Sequence, residues 1–206
     1  MKQRTLKGLV LAVFSGFLIV SCASSTKMTN TFVDTGFQGK PVSDVLVIAV
    51  TDRDALRRSF EGKFVAQLKA AGIEAVSSAN VIAIPPSREL EKDMILKAVE
   101  EYKNDAVMIT RLIGVEEREV YTPPARPSYG YYGDYRHFHA YAHEPGHYRT
   151  HTLIRLATNL YDVKTERLMW SGESESLNPD SDKQLIDQVI KLIVSDLLKK
   201  GLLPGK

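Results

Sequence analysis

The run Val45-Leu46-Val47-Ile48-Ala49-Val50 constrains the fold more than any other stretch of this 206-residue chain. Apolar residues in unbroken succession leave no polar face, the pattern of a strand buried on both sides in a parallel sheet. Thr51-Asp52-Arg53-Asp54 then offers N-cap oxygens and first-turn acids for a helix. Leu56, Phe60, Phe64 and Leu68 recur every fourth position, with Val65 and Ala71 beside them and Arg53, Arg57, Glu61, Lys63 and Lys69 largely elsewhere. One amphipathic helix is therefore expected, ended by Gly72. Residues 73–76 read as a second strand and Pro85-Pro86-Ser87 as punctuation. Leu90, Met94, Ile95, Ala98, Val99 and Tyr102 trace a second helix capped by Ser87. Asp105 opens a third strand over 106–113, and the resulting βαβαβ pattern calls for right-handed crossovers and parallel pairing.

The second half changes character. Residues 152–161 alternate, with Ile154, Leu156, Thr158 and Leu160 on one face and Arg155, Ala157 and Asn159 on the other. The polar turn 162–166 leads to a partner strand over 167–175, an antiparallel hairpin that buries Trp170. Asp180-Ser181-Asp182 caps a last helix whose Leu185, Ile186, Val189, Ile190, Ile193 and Leu197 face the core, and Lys199-Lys200-Gly201 ends it. The expected fold is a single α/β sandwich over residues 42–203: βαβαβ, a hairpin and a C-terminal helix on a mixed sheet.

Upstream, Lys2, Arg4 and Lys7 precede an uncharged apolar run over 8–20. That run suits the h-region of a signal peptide and is short of the roughly 20 residues a membrane-crossing helix needs. Ile19-Val20-Ser21-Cys22 resembles the lipobox of bacterial lipoproteins. The resemblance implies removal of residues 1–21 and acylation of Cys22, the only cysteine. More than one acyl chain anchors stably without a span, so the membrane is the first expected partner. Ala23, standing where an Asp would retain the protein at the inner membrane, implies an outer-membrane location facing the periplasm. Residues 22–41, rich in Ser, Thr, Gly and Asn, read as a tether with Phe32 and Phe37 touching the domain.

Three of the 27 Lys and Arg lie before residue 8, leaving 24 against 25 Asp and Glu. No basic block marks a nucleic-acid footprint, so no nucleic-acid partner is expected. With Cys22 acylated, disulfide, thiolate metal and thiol nucleophile chemistry are all excluded.

Leu46 to Asp52 as they stand, Arg57-Arg58 with Glu61, Phe64 and Leu68 before Gly72, residues 106–114, Thr158-Asn159-Leu160-Tyr161-Asp162 and Leu168-Met169-Trp170-Ser171 together resemble a family of small bacterial lipoproteins of unknown function. The resemblance spans about residues 31–203. It implies a fold like that of the amino-terminal domain of TolB and of the curli-secretion lipoprotein, envelope proteins that work through protein contacts. It brings no catalytic residues with it.

The chemistry-bearing residues concentrate in a Tyr- and His-rich insert at 121–150. All five histidines, His137, His139, His143, His147 and His151, fall in it or beside it. His143-Glu144-Pro145-Gly146-His147 spells the H-E-x-x-H of zinc proteases, in which one helix face carries both imidazoles and the Glu is general base. Pro145 inside such a helix costs about 3 kcal/mol and a hydrogen bond, which argues against a protease. If 135–143 is extended, His137 and His139 share a face roughly 6.5 Å apart. That pair can grip a Zn or Cu ion, with His143, His147 or His151 completing the set. Equally, the insert is an exposed loop kept soluble by polar aromatics, or a surface that binds a partner or itself. Gly130-Tyr131-Tyr132-Gly133 lacks the helix start and Lys-Ser/Thr of a phosphate loop, and the chain has no G-x-S-x-G and no dinucleotide fingerprint. The expected function is a non-enzymatic, membrane-anchored envelope lipoprotein that binds an envelope protein or forms a homo-oligomer. Periplasmic Zn or Cu binding through the insert is the alternative, and no other cofactor is expected.

Overall fold

Strand β2 (Asp44–Val50) lies inside a six-stranded sheet, as its apolar run requires, with β3 (Glu74–Ser77) and β4 (Ala106–Thr122) parallel on its two sides. The computed structural model describes residues 25–37, 39–83, 90–122 and 147–205. Beyond β4 the pairing is antiparallel: β5 (His147–Asp162) against β4, β6 (Leu168–Leu177) against β5, and β1 (Ser25–Val33) against β6. The strand order is β1-β6-β5-β4-β2-β3. This is the expected mixed sheet of an α/β sandwich, with one edge strand more than the sequence reading provides.

The sheet divides the core. Val45, Val47, Ala106 and Met108 pack against α1 (Asp54–Ala70) and α4 (Asp182–Lys199), whose Phe64, Leu68, Val189 and Ile193 complete the larger cluster. Leu46, Ile48 and Val107, alternating with them, meet Ala98 and Val99 of α3 (Lys92–Tyr102) on the other face. A single turn, α2 (Ser78–Val81), follows β3 directly. Trp170 is fully buried and its indole N–H donates to Asp196 Oδ2 at 2.9 Å, which ties β6 to α4.

Both long helices end as Gly72 and Gly201 direct, at φ +85° and +70°, values that cost an L side chain energy. Ile73 N–H reaches back to Leu68 O at 3.1 Å and Leu202 N–H to Leu197 O at 3.0 Å, the closing bond of a Schellman turn, each joining two buried apolar residues. Ser181 Oγ accepts from Gln184 N–H at 3.2 Å, the cap expected for α4.

Several expectations are corrected. Residues 25–33 of the tether are strand β1: Thr26 Oγ1 meets Ser176 Oγ at 2.9 Å while Met28 and Val33 pack against the core. The polar residues between them had masked it, since an edge strand needs only alternate side chains inward. Arg57 and Glu61 leave the polar side of α1 and lie buried, because positions 57, 60, 61, 64 and 68 themselves form one helix face. Arg53 is the N-cap of α1 with no side-chain capping bond, and Thr51 Oγ1 accepts from Arg53 N–H at 3.2 Å instead. Helix α3 starts at Lys92 after Glu91, Ser87 lies outside the described residues, and β3 sits one residue later than expected. Finally, β4 runs on to Thr122 and β5 begins at His147, so Tyr121, Thr122 and residues 147–150 belong to strands rather than to the insert.

Candidate interaction surface

Glu61 is completely buried, yet its carboxylate accepts four hydrogen bonds. Oε1 takes Ala49 N–H at 2.9 Å and Ser78 Oγ–H at 2.7 Å; Oε2 takes Ser77 Oγ–H and Ala79 N–H, both at 2.7 Å. A buried charge survives only when its lone pairs are filled in this way. The carboxylate therefore joins α1 to the end of β2 and to the β3–α2 junction. Beside it, Arg58 donates to Asp54 Oδ2 at 2.7 Å and to Ala79 O at 3.1 Å, and Arg57 to Asp54 Oδ1 at 3.1 Å. The bond from Arg58, reinforced by Arg57, holds the Asp54 carboxyl below its usual range. Both serine hydroxyls donate to the Glu61 carboxylate, so this cluster clamps the fold. The sequence reading missed it; the signal available was that charged positions 57 and 61 keep step with Phe64 and Leu68.

On the α3 side of the sheet, charges alternate across four adjacent strands. Lys27 of β1 pairs with Glu175 of β6 at 3.3 Å, Glu175 with Arg155 of β5 at 3.2 Å, Arg155 with Glu116 of β4 at 3.2 Å, and Glu116 with Arg118 at 2.6 Å. Arg118, then Arg155, holds Glu116 below the ordinary glutamate range; Arg155, then Lys27, does the same to Glu175. A shallow depression of about 360 Å³ opens among these side chains, bordered by His151, Leu153 and Leu177. A second, more apolar cleft of about 380 Å³ lies under α3, lined by Ile95, Val99, Val107, Ile109 and Tyr161.

The third feature is a projecting ribbon. Pairing of β2 with β4 stops at Val50↔Arg111 and that of β6 with β5 at Leu177↔Leu153, but β4 and β5 stay paired as far as Thr122↔His147. From Leu112 onward, the edge of β4 that faced β2 has no partner strand among the described residues. Exposed apolar side chains accompany it: Leu112 and Val115 are 54% and 56% exposed, with Val50 and Ile113 nearby in the sheet. At the tip the rings of Tyr121 and Tyr148 lie 5.3 Å apart at 57°, and Tyr148 is 69% exposed.

Of the residues singled out by sequence, Cys22, His137, His139 and His143 lie outside the described residues. His147 and His151 stand on one face of β5, four residues apart, hence about 13 Å along the strand and too far to share a metal ion. His151 Nδ1 is 2.7 Å from Asn178 Nδ2. Because His147 opens a strand, the second imidazole of the H-E-x-x-H spelling does not stand on a helix. Among the described residues no three His, Cys, Asp or Glu side chains come together as a metal site, and no helix there is long and apolar enough to cross a membrane.

No family model matches the chain, and no curated protein matches it. Solved structures similar to it include the PelC dodecamer from Paraburkholderia phytofirmans, with 12% identity and a TM-score of 0.42, covering 89% of this chain and 100% of that one. Lipoprotein GNA1162 from Neisseria meningitidis aligns at 14% identity and a TM-score of 0.40, covering 76% of this chain and 99% of that one. A minor lipoprotein from Acinetobacter baumannii aligns at 11% identity and a TM-score of 0.27 over 80% and 98% of the two chains.

Proposed function

We propose that the protein is a lipid-anchored module of the cell envelope that works by binding, not catalysis, and that it docks a protein strand on the free edge of β4. The observation that carries this reading is the edge itself, since from Leu112 onward it has no partner strand among the described residues and lies beside exposed Leu112, Ile113 and Val115. Such an edge is a template for strand addition, in which main-chain bonds supply affinity and alternate side chains supply selectivity. The basic start, the apolar run and Ile19-Val20-Ser21-Cys22 support the anchor. The ion-pair row from Lys27 to Arg118 stiffens the sheet on which the edge is carried.

Photo-crosslinking from a benzophenone side chain at Val115 of the full chain in cells tests the reading. Adducts of discrete mass are expected from Val115 and none from exposed Lys191 on α4. A Val115 probe that forms no adduct, or the same smear as Lys191, overturns it.

A further inference from the structure

We infer that the tip of the β4–β5 ribbon is a second membrane contact, resting in the lipid headgroup layer on the same side of the domain as the anchor. The inference rests on the reading of Cys22 as acylated, and its geometry comes from strand register. Ser25 of β1 sits opposite Leu177 of β6, Leu177 opposite Leu153 of β5, and Leu153 opposite Glu116 of β4. The chain thus enters the domain at the end of the sheet from which the ribbon projects, not at the far end.

Chain lengths set how far each attachment reaches. Two residues, hence three peptide steps, separate Cys22 from Ser25, and a chain that short spans at most roughly 10 Å. From the level of Leu153, β5 extends five residues out to Tyr148, about 17 Å at the rise of a strand. Two strand steps separate β1 from β5, so accumulated twist turns the ribbon by about 45° and leaves roughly 12 Å of projection. The tip therefore reaches at least as far as the anchor can. With the acyl chains in the bilayer, an upright domain brings Tyr121 and Tyr148 to the interface.

The tip has the chemistry for that place. Tyr121 and Tyr148, both exposed, present rings with a polar end, the side chain that collects at membrane–water boundaries. Val120 and Arg149 face each other on the opposite side of the ribbon, and His147 opens β5. Among the described residues beyond Glu119 the ribbon carries Arg149 and no acid, which suits anionic headgroups. Two attachments, one covalent and one through the ribbon, would fix the orientation of the domain and hold the free edge of β4 at a set height above the bilayer.

The test uses the acylated full chain reconstituted in phosphatidylethanolamine–phosphatidylglycerol vesicles that carry doxyl-labelled lipids. Tyr148→Trp is compared with Lys164→Trp, which lies in the turn between β5 and β6 at the opposite end. Emission from buried Trp170 is measured in the unsubstituted chain and subtracted. The added emission of Tyr148→Trp should be quenched, more by doxyl groups near the headgroup than by those near the chain ends, and that of Lys164→Trp should not. Tyr121→Trp gives a second reading at the same tip if Tyr148→Trp folds poorly. If the chain floats with the vesicles while neither tip variant is quenched, the inference is wrong and the anchor stands. If the chain does not float and Cys22 is unmodified, both fall together.

Discussion

Glu61 shows how one side chain can hold three elements. Glu61→Ala would leave the Ala49 and Ala79 amides and the Ser77 and Ser78 hydroxyls without their acceptor in a dry site. Urea unfolding at pH 7 should register a loss of at least about 3 kcal/mol, against no more than about 0.5 kcal/mol for exposed Glu117→Ala. A loss under about 1 kcal/mol would mean that the carboxylate is not the clamp. Two glycines give a paired contrast. A Cβ at Gly172 would overlap the Trp170 ring and Met28 Cε, and that ring is held by Asp196, so Gly172→Ala should destabilise by about 1–3 kcal/mol. Gly62, inside α1, faces open space, and Gly62→Ala should stabilise by up to about 1 kcal/mol. Glu116 and Glu175 carry lowered pKa values, so each releases its proton more readily folded than unfolded. Their contribution is present above the ordinary glutamate pKa, near 4.3, and is lost as pH falls through the lower folded value. Side-chain carboxyl NMR titration should find both midpoints below that value; a midpoint at or above it would remove the ion-pair row as a source of order.

Strand β4 is two structures in sequence. Over 106–111 it is paired on both edges and largely buried; beyond that, among the described residues, it keeps β5 alone. Native-state hydrogen exchange should show the β4 amides of 106–110 opening only with global unfolding and those of 116–122 opening locally at much lower free energy. Equal protection along the strand would show that the ribbon is not a separate, weaker unit. Legibility in the sequence divides along the same line. Periodicity reads burial, so β2, α1, α4 and the hairpin around Trp170, each with a dry face, were visible in the chain. Strand β1 and the outer half of β4 were not, because pairing there is made by backbone bonds and by charges such as Lys27, Glu116 and Arg118, whose order along the chain carries no period-2 apolar signal. Glu61 was missed for the converse reason: a charged residue on a helix reads as solvent-facing until its four donors, three of them 16–18 residues away, are in place.

For the molecule as a whole, register orders the functional features. The point at which the chain enters β1 and the projecting ribbon lie at one end of the sheet, the β5–β6 turn lies at the other, and the free edge of β4 runs from Leu112 out along the ribbon. If Cys22 carries the lipid, the molecule has a membrane-proximal end and a lateral docking edge. The proposed headgroup contact of the ribbon, and the placing of the protein-docking edge beside a bilayer, both rest on that modification. Intact-mass and N-terminal peptide mass spectrometry of the native full-length product addresses it directly. The predicted product is a chain that begins at Cys22 and carries acyl groups on that residue. A product that retains residues 1–21, or that begins elsewhere with an unmodified Cys22, would contradict it.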